Sequence, residues 1–378
     1  MRSLRQLLHH WTGHGPHSLA AFAEIARART DYAPGVHRAE DFTGLLTSAT
    51  SPAVVLRPGH ALLGQVPAWE QLPDGPRYRE DGLVPIPTKH LYSLAEGAII
   101  TGDGIVYCPR TRRAVAETVR QWTAPANRHP VLGALGYPAA RRLAGRALNL
   151  ATLSGEGFYH FLLEALPRLW LARPWLDQID HFLCNGSHRT FHARWLAQAG
   201  IPPEKIVWMS GLCHYSSPQV LFTDDLMRDQ QPGAWNVAAL RGLFPPASPA
   251  RPGRRLWVSR QDAQVRHLAW ESELLGQLPG FESVRLSELS PADQLRLASE
   301  AAVIAGPHGA GLSLLAFAAP GVRLVELFPH PQRQPVYDRL CQLVPGSYAW
   351  AVTDFQRPDG AARLAGAIQS FLDQPPAR

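Results

Sequence analysis

The sequence predicts an α/β protein, and three observations support this fold class. From residue 140 onward, short apolar runs of strand length alternate with segments of helical periodicity. The run from Ala301 to Ala305 has the length of a buried parallel strand and is followed by a glycine. The chain has 378 residues, which is more than one ordinary domain, so we expect two α/β domains with sizeable cores.

The composition is ordinary for a globular protein, with 46% hydrophobic residues. The net charge of +6 comes from arginine, because Lys89 and Lys205 are the only lysines. No basic block is interleaved with aromatic residues, so we do not expect nucleic-acid binding. A mildly basic protein suits an anionic ligand or a peripheral contact with a membrane surface.

The cysteines and the N-terminus indicate a soluble, cytoplasmic protein. Reduced thiols are expected because the cysteines form neither a C-x-x-C pair nor a zinc pattern; they are Cys108, Cys184, Cys213 and Cys341. The N-terminus has no apolar signal core, and no window reaches the ~18 apolar residues of a membrane-spanning helix.

Residues 1–139 are predicted to form an N-terminal helix and a β-rich N-terminal region. The helix is expected over Ser18 to Arg29. Short β-type runs flank a Thr101–Gly104 turn, which indicates a hairpin, and Arg112 to Trp122 is expected to be helical. A cluster of four histidines near the N-terminus raises the possibility of a metal site. Glycines and a proline between them prevent the helical i, i+4 geometry that would bring their side chains together, so a solvated terminus is favoured. The histidines are His9, His10, His14 and His17.

Residues 140–245 are predicted to form a first Rossmann-like domain. A proline-rich break near its end precedes a second such domain over residues 246–355, and a closing helix lies within residues 356–378. The predicted strands are 147–152, 181–184, 205–209, 219–223, 256–258, 283–286, 301–305, 322–327 and 348–352. The predicted helices are 158–173, 191–199, 270–278, 291–300, 312–318 and 359–372.

A glycine-rich turn follows the apolar run of residues 301–305. Three glycines let backbone amides approach a ligand closely, and the helix that begins on the turn offers an anion site at its N-terminus; the glycines are Gly306, Gly309 and Gly311. The next strand carries one acid, Glu326, near its carboxyl end. Ligands of open α/β sheets bind at that edge.

Arg260, Arg266, the glycine turn and Glu326 are expected to converge, because each follows a strand of one parallel sheet. Arginine binds phosphate as a two-pronged donor, the turn supplies amides, and a carboxylate can hold a ribose diol. Together these groups indicate a site for a nucleoside diphosphate. Taken singly, an arginine after a strand is often a solvated strand end, and a glycine turn is often only a turn.

A second candidate site lies at the start of the helix predicted over residues 158–173. Glycines precede the helix, His160 lies in its first turn, and Glu164 lies one turn later on the same face. A histidine and a carboxylate in one site can perform general acid–base chemistry. The alternatives are that Glu164 only orients His160, or that both side chains pack the core.

Four motifs occur in one order along the chain. They are H-F-x-x-E-x-L-P-R-L at 160–169, S-R at 259–260, G-P-H-G-A-G-L at 306–312 and P-G-x-x-x-V-E at 320–326. In these motifs the chain resembles glycosyltransferase family 61, which includes capsular-polysaccharide enzymes and xylosyl- and N-acetylglucosaminyltransferases. The resemblance covers roughly residues 145–330. Phe161 and Trp270 depart from the family pattern, where tryptophan and asparagine are common.

The resemblance implies two facing Rossmann-like domains of the GT-B type and sugar transfer with inversion, without an essential metal or another cofactor. The domain of residues 140–245 would face a glycan acceptor, and that of residues 246–355 would hold a nucleotide-sugar donor. Carried over by position, the diphosphate would be held by Arg260, Arg266, Gly306, His308, Gly309, Ala310, Gly311 and Leu312. Glu326 would hold the nucleoside end. On the acceptor side, His160 is the expected base, and Glu164 supports it or is itself the base if burial raises its pKa.

Other functions have weaker support in the sequence. The run His308 to Gly311 resembles the oxyanion turn of lipases, but a serine hydrolase also needs a G-x-S-x-G elbow, which is absent. No strand is followed by the G-x-G-x-x-G pattern of an NAD-dependent oxidoreductase. The sequence leaves one further alternative, a non-catalytic protein that binds nucleotide sugars or glycans. No Asp-x-Asp pair is present to hold a metal, and Asp224 and Asp225 are adjacent.

Overall fold

A computed structural model of the protein describes most of the chain after residue 88 and short segments before it. The described residues are 36–37, 44–49, 54–56, 60–64, 68–69, 82–84, 89–110, 113–120, 129, 131, 137–188, 190–224, 226–227, 232–245, 252–334, 336–358 and 360–375. The helix predicted over residues 18–29, the histidine cluster and most of the proline-rich break lie outside these residues.

The described strands are numbered in chain order. They are β1 (Val36–His37), β2 (Gly44–Ala49), β3 (Val54–Leu56), β4 (His60–Ala61), β5 (Ala68–Trp69), β6 (Gly82–Val84), β7 (Lys89–Ile100), β8 (Ile105–Cys108), β9 (Arg113–Val115), β10 (Arg141–Arg142), β11 (Arg146–Asn149), β12 (His181–Asn185), β13 (Ile206–Met209), β14 (His214–Thr223), β15 (Arg254–Val258), β16 (Phe281–Val284), β17 (Ala301–Pro307), β18 (Arg323–Phe328), β19 (Gln332–Arg333) and β20 (Ser347–Val352). The described α-helices span Phe158–His160, Leu166–Ala172, Phe191–Gln198, Ala234–Leu243, Glu271–Gly276, Pro291–Glu300, Val336–Leu343 and Ala361–Asp373.

The chain divides into two compact units. Unit 1 comprises residues 1–50 and 87–226, and unit 2 comprises residues 51–86 and 227–378. This division differs from the sequence-based one, because segments of the predicted N-terminal region join both units. β7 pairs with β14 in unit 1, and β4 pairs with β20 in unit 2. The α/β class is confirmed, whereas the two facing Rossmann-like domains stay a prediction.

Unit 1 contains a mixed sheet with the strand order β1-β9-β8-β7-β14-β11-β12-β13. Its strands β14, β11, β12 and β13 run parallel, and β7 joins them antiparallel. The predicted hairpin is confirmed, since Ile100 pairs with Ile105 across a turn that ends at Gly104. At Gly104 the backbone has φ +78°, a conformation that glycine adopts without strain.

The helix predicted over Arg112 to Trp122 is wrong. Residues Arg113–Val115 form strand β9, which pairs antiparallel with β8, and a short 3₁₀ turn covers Ala116–Thr118. Ala114 and Val115 are buried in the core of unit 1. Pairing with the edge of β8 therefore outweighs the local helical preference of this segment.

Unit 2 is built on a parallel sheet with the order β16-β15-β17-β18-β20-β4. The strands between residues 254 and 352 thus follow the doubly wound order 2-1-3-4-5, whose switch point lies between β15 and β17. One face is covered by the C-terminal helix: Leu364 and Ile368 pack in one cluster with Trp257, Val325 and Leu327. Burial of these apolar side chains stabilises the unit.

The cysteines are free, as expected. Two predicted helices differ in detail from what the structure contains. The helix after the glycine turn is a 3₁₀ helix over Ala310–Phe317. The helix that begins at Phe158 contains a π-helical turn over Phe161–Ala165, which is a feature often found at functional sites. The predicted helix Pro291–Glu300 is confirmed, with the Ser290 hydroxyl accepting a hydrogen bond from the Asp293 amide at 3.1 Å.

Candidate functional site

The first candidate site lies at the switch point of the unit 2 sheet. β15 ends at Val258 and β17 ends at Pro307, and the two strands are parallel neighbours. Arg260 and the glycine turn therefore follow adjacent strand ends, as the sequence predicts. A Cβ atom at Gly306 would lie 2.6 Å from the carbonyl oxygen of Val258. Only glycine allows the two strand ends to approach this closely.

Gly309 makes room for the side chain of Arg260. A Cβ atom at Gly309 would overlap Nη1 of the Arg260 guanidinium. The guanidinium therefore lies directly against the backbone of the turn. Because the first amides of a helix have no partner within it, the 3₁₀ helix that begins at Ala310 presents N–H groups next to a fixed cation.

The guanidinium of Arg260 is half-buried, and few hydrogen bonds compensate the burial of its charge. Its Nη2 donates to the carbonyl oxygen of Val265 at 3.1 Å, and its buried Nε has no hydrogen-bond partner among the described residues. Burial and then the charge of Arg266 lower the pKa of Arg260. The exposed Arg266 has a left-handed backbone with φ 58°. Two neighbouring guanidiniums favour an anionic ligand such as a diphosphate.

His308 is held in place by Glu326. Nδ1 of His308 lies 2.5 Å from Oε1 of Glu326, and the hydroxyl of Tyr348 donates to Oε2 at 2.8 Å. The imidazole ring also stacks on Phe328 with a centroid distance of 5.0 Å. Because an ionised carboxylate can only accept hydrogen bonds, Nδ1 is the donor, and Nε2 points away from the carboxylate.

Glu326 is fully buried, and both of its oxygens are engaged within unit 2. This differs from the expectation that it holds the nucleoside end of a ligand. The structure places it behind His308 as the group that orients the ring. Ser259 has a comparable internal role, since its hydroxyl donates to the buried Glu271 at 2.6 Å beneath the Arg260 turn.

The second candidate site lies in unit 1, where the 151–157 segment leads into the helix that begins at Phe158. A Cβ atom at Gly155 would overlap Oδ1 of Asn185, so glycine is required there. Asn185 accepts from the Thr152 amide at 2.9 Å and donates to the carbonyl oxygen of Gly102 at 2.6 Å. This buried asparagine thus ties the segment before the helix to the β7–β8 turn.

Glu164 is fully buried at the centre of a polar network in unit 1. Arg120 and the Thr152 hydroxyl both donate to Oε1, the latter at 2.6 Å. Nη2 of Arg168 lies 3.8 Å from the same oxygen. Burial by itself raises the pKa of Glu164, but the charge of Arg120, the hydrogen bond from His160 and the charge of Arg168 outweigh it and lower the pKa to about 2.

His160 lies one turn before Glu164, with its Nδ1 3.4 Å from Oε2 of the carboxylate. The lowered pKa keeps Glu164 ionised, and this favours the alternative in which Glu164 orients His160 over the one in which burial makes it a base. With Nδ1 donating to the carboxylate, the basic lone pair of neutral His160 lies on Nε2.

Sequence reasoning named His160, Glu164, Arg260 and the glycine turn as candidates, but it did not identify the groups that surround them in the structure. Arg168 lies in a quoted motif, four residues after Glu164, and this helical spacing was a usable signal. Arg120 and Tyr348 come from distant segments, and no local pattern marks them.

Two further observations bear on the function of the described residues. No three of their His, Cys, Asp or Glu side chains converge to hold a metal ion. None of the helices in this part of the chain is long and apolar enough to span a membrane. Ser313, the serine nearest the lipase-like turn, is fully buried in the 3₁₀ helix, so it is not placed as an exposed nucleophile.

Residues 158–325 match the protein-family model described as Glycosyltransferase 61. The matched range includes His160, Glu164, Arg260 and the glycine turn, and it ends one residue before Glu326. No curated protein matches the sequence.

Proposed function

Since residues 158–325 form a glycosyltransferase family 61 domain and the chain is a glycosyltransferase, we propose that it transfers a sugar from a nucleotide-sugar donor to a glycan acceptor with inversion at the anomeric carbon. The observation that carries the donor assignment is Arg260 against the glycine turn at the switch point of the parallel sheet. A capsular or other polysaccharide is the proposed kind of acceptor, and the cytoplasm is the proposed location.

On the donor side, the diphosphate is the group that the unit 2 site suits. Arg260 and Arg266 supply positive charge, and Gly309 to Gly311 supply backbone amides where the 3₁₀ helix begins, since the His308 and Leu312 amides are bonded within the protein. A protonated His308, compensated by Glu326, can donate a further hydrogen bond from Nε2. These groups stabilise the negative charge that develops as the diphosphate leaves, so no divalent metal is needed in this proposal.

On the acceptor side, His160 is the proposed general base. The acceptor hydroxyl oxygen forms a bond to the anomeric carbon while the bond from that carbon to the diphosphate oxygen breaks, with its electron pair staying on the diphosphate. The hydroxyl proton goes to Nε2 of His160, while Glu164 accepts the hydrogen bond from Nδ1 and so keeps the ring oriented. Inversion requires attack from the face opposite the leaving group.

The test has two steps. A thermal-shift screen with nucleotide sugars and free nucleotides identifies the donor, because a ligand that binds only the folded protein raises the melting temperature. Turnover is then measured with and without EDTA. We expect donor hydrolysis or transfer that survives EDTA; loss of activity that Mg²⁺ or Mn²⁺ restores would refute metal independence.

The alternative is a non-catalytic protein that binds nucleotide sugars. Its donor site would be the same, so binding alone does not separate the two functions. A bound donor that is neither hydrolysed nor transferred over many hours would favour this alternative.

A further inference from the structure

A narrow recess in unit 1 lies between the β7–β8 turn and the segment before the helix of His160. Its lining includes Asp103, Glu117, Arg120, Thr152 and Thr223. Resting on the function proposed above, we propose that this recess is a subsite for the acceptor, in which Asp103 accepts a hydrogen bond from a hydroxyl group of a carbohydrate.

The turn that carries Asp103 is fixed from below by two buried asparagines. Asn149 donates to the carbonyl oxygen of Gly104 at 2.7 Å, and Asn185 donates to that of Gly102 at 2.6 Å. Both asparagines also bond the 151–152 backbone. The two sides of the recess are therefore held at a set distance, which is the preorganisation that a binding site requires.

Two polar groups in this recess have no hydrogen-bond partner among the described residues. The side chain of Asp103 makes no hydrogen bond to the described residues. Thr223 is 1% exposed, and its hydroxyl also has no hydrogen-bond partner among them. Buried polar groups are normally hydrogen-bonded, so two such groups on the lining of one recess indicate that a ligand or water contacts this lining.

The charges around Asp103 favour a neutral, hydroxyl-bearing ligand. Burial and then the charge of Glu156 raise the pKa of Asp103 to about 6. The lining of the recess also includes Glu117, Arg120 and Arg168, and the thiol of Cys213 lies within electrostatic range of Asp103. Both arginines already pair with the Glu164 carboxylate, and the lining also carries the acids Asp103 and Glu117. A phosphate is therefore less suited to the recess than a hydroxyl group, which can donate a hydrogen bond to the Asp103 carboxylate.

The recess is connected to the proposed base. Arg120 and Thr152 line it and also bond Oε1 of Glu164, whose other oxygen faces His160. A sugar that places one hydroxyl in the recess is thereby anchored on the structure that holds His160. The recess has room for about one water-sized group, so it suits a single hydroxyl substituent and not a whole sugar ring.

The experiment measures binding of a panel of p-nitrophenyl glycosides by saturation-transfer NMR and titration, between pH 5 and pH 8. With the wild type we expect binding to weaken about tenfold as pH falls through about 6, because a protonated Asp103 loses its charge-assisted hydrogen bond. Asp103→Asn should bind about tenfold more weakly at pH 8 and lose this pH dependence. Glu156→Gln should shift the midpoint to lower pH, because it removes a charge that raises the pKa of Asp103.

The matched control is Asp177→Asn, an exposed change in the same unit, which should leave glycoside binding unchanged. Folding is followed by the melting temperature. The folded-state pKa of Asp103 lies above its ordinary value of 3.8, so its charge opposes folding above about pH 6. Asp103→Asn should therefore not melt earlier than the wild type at pH 8.

Binding of no glycoside, or equal binding by the wild type and Asp103→Asn, would overturn the subsite. Donor hydrolysis by the wild type is measured separately. If it persists, the proposed function stands without this subsite, and if no nucleotide sugar binds or reacts, the proposed function itself is refuted.

Discussion

Each unit contains a fully buried glutamate bonded to a histidine, but the two pairs have different surroundings. In unit 1, the Glu164 carboxylate faces the guanidinium groups of Arg120 and Arg168. It also makes a long hydrogen bond to His160, whose Nδ1 lies 3.4 Å from Oε2. In unit 2, Glu326 forms no ion pair with an arginine among the described residues; it bonds His308 at 2.5 Å and accepts from Tyr348.

This difference distinguishes the roles of the two histidines, which the sequence pattern alone does not tell apart. A carboxylate already compensated by two guanidiniums orients a histidine but contributes little further charge to it. A carboxylate with no arginine partner interacts electrostatically with one histidine. It can therefore stabilise an imidazolium, which can bind phosphate. The first arrangement suits a base and the second suits an anion ligand, in agreement with the proposed roles of His160 and His308.

The largest expected effect is on stability. Glu164→Ala leaves the buried Arg168 and the half-buried Arg120 without their carboxylate, so we expect a loss of about 3–5 kcal/mol in the free energy of unfolding. Glu326→Ala removes hydrogen bonds but leaves no described arginine without its ion-pair partner, so it should lose about 1–3 kcal/mol in the free energy of unfolding. Urea unfolding at pH 7 measures both; equal losses would contradict the contrast between the two pairs.

A pH series checks the same assignment. The folded-state pKa of Glu164, about 2, lies below its ordinary value of 4.5. Its stabilisation is therefore present above about pH 4.5 and is lost as pH falls toward about 2. The variant Glu164→Gln should lack this part of the acid-induced loss.

The next effect is catalytic. His160→Ala should lower kcat by at least about 10²-fold while donor affinity is kept, because a general base acts only in the chemical step. His308→Ala should instead weaken donor binding. Steady-state kinetics and donor titration on both variants test this, and near-normal kcat in a well-folded His160→Ala protein would place the base elsewhere.

A smaller effect is expected at Arg260. Lysine keeps the charge but lacks the rigid two-pronged donor, so Arg260→Lys should weaken donor binding by about 1–3 kcal/mol. Arg296→Lys is the control, because Arg296 is exposed and its surface ion pairs contribute little. Unchanged donor affinity in Arg260→Lys would mean that the guanidinium is only a solvated strand end.

The smallest effect tests the turn geometry. Gly309→Ala places a methyl group on the Arg260 guanidinium and should weaken donor binding by about 1 kcal/mol by displacing that side chain. Gly276→Ala is the matched control, since a Cβ atom there has no heavy atom within 4 Å. If both variants bind the donor as the wild type does, Arg260 does not need its observed position.

The sequence was most informative where local pattern and sheet geometry agree. The strands β15, β17, β18 and β20 follow from short apolar runs, and the helix Pro291–Glu300 follows from its periodicity and from the N-cap residue Ser290. The proximity of Arg260 and the glycine turn could be predicted from the sequence, because parallel strands present their carboxyl ends at one edge of the sheet. The segment Arg113–Val115 was missed since its strand depends on pairing with β8.

By itself, the sequence determined the family motifs, the α/β alternation and the His160–Glu164 spacing, because each is encoded within a few consecutive residues. Only the tertiary structure decided which groups surround the two glutamates. Arg120 reaches Glu164 from 44 positions away, and Tyr348 reaches Glu326 from 22. The charge that a buried carboxylate presents to its histidine depends on such distant partners, which strand pairing and packing select and no local pattern records.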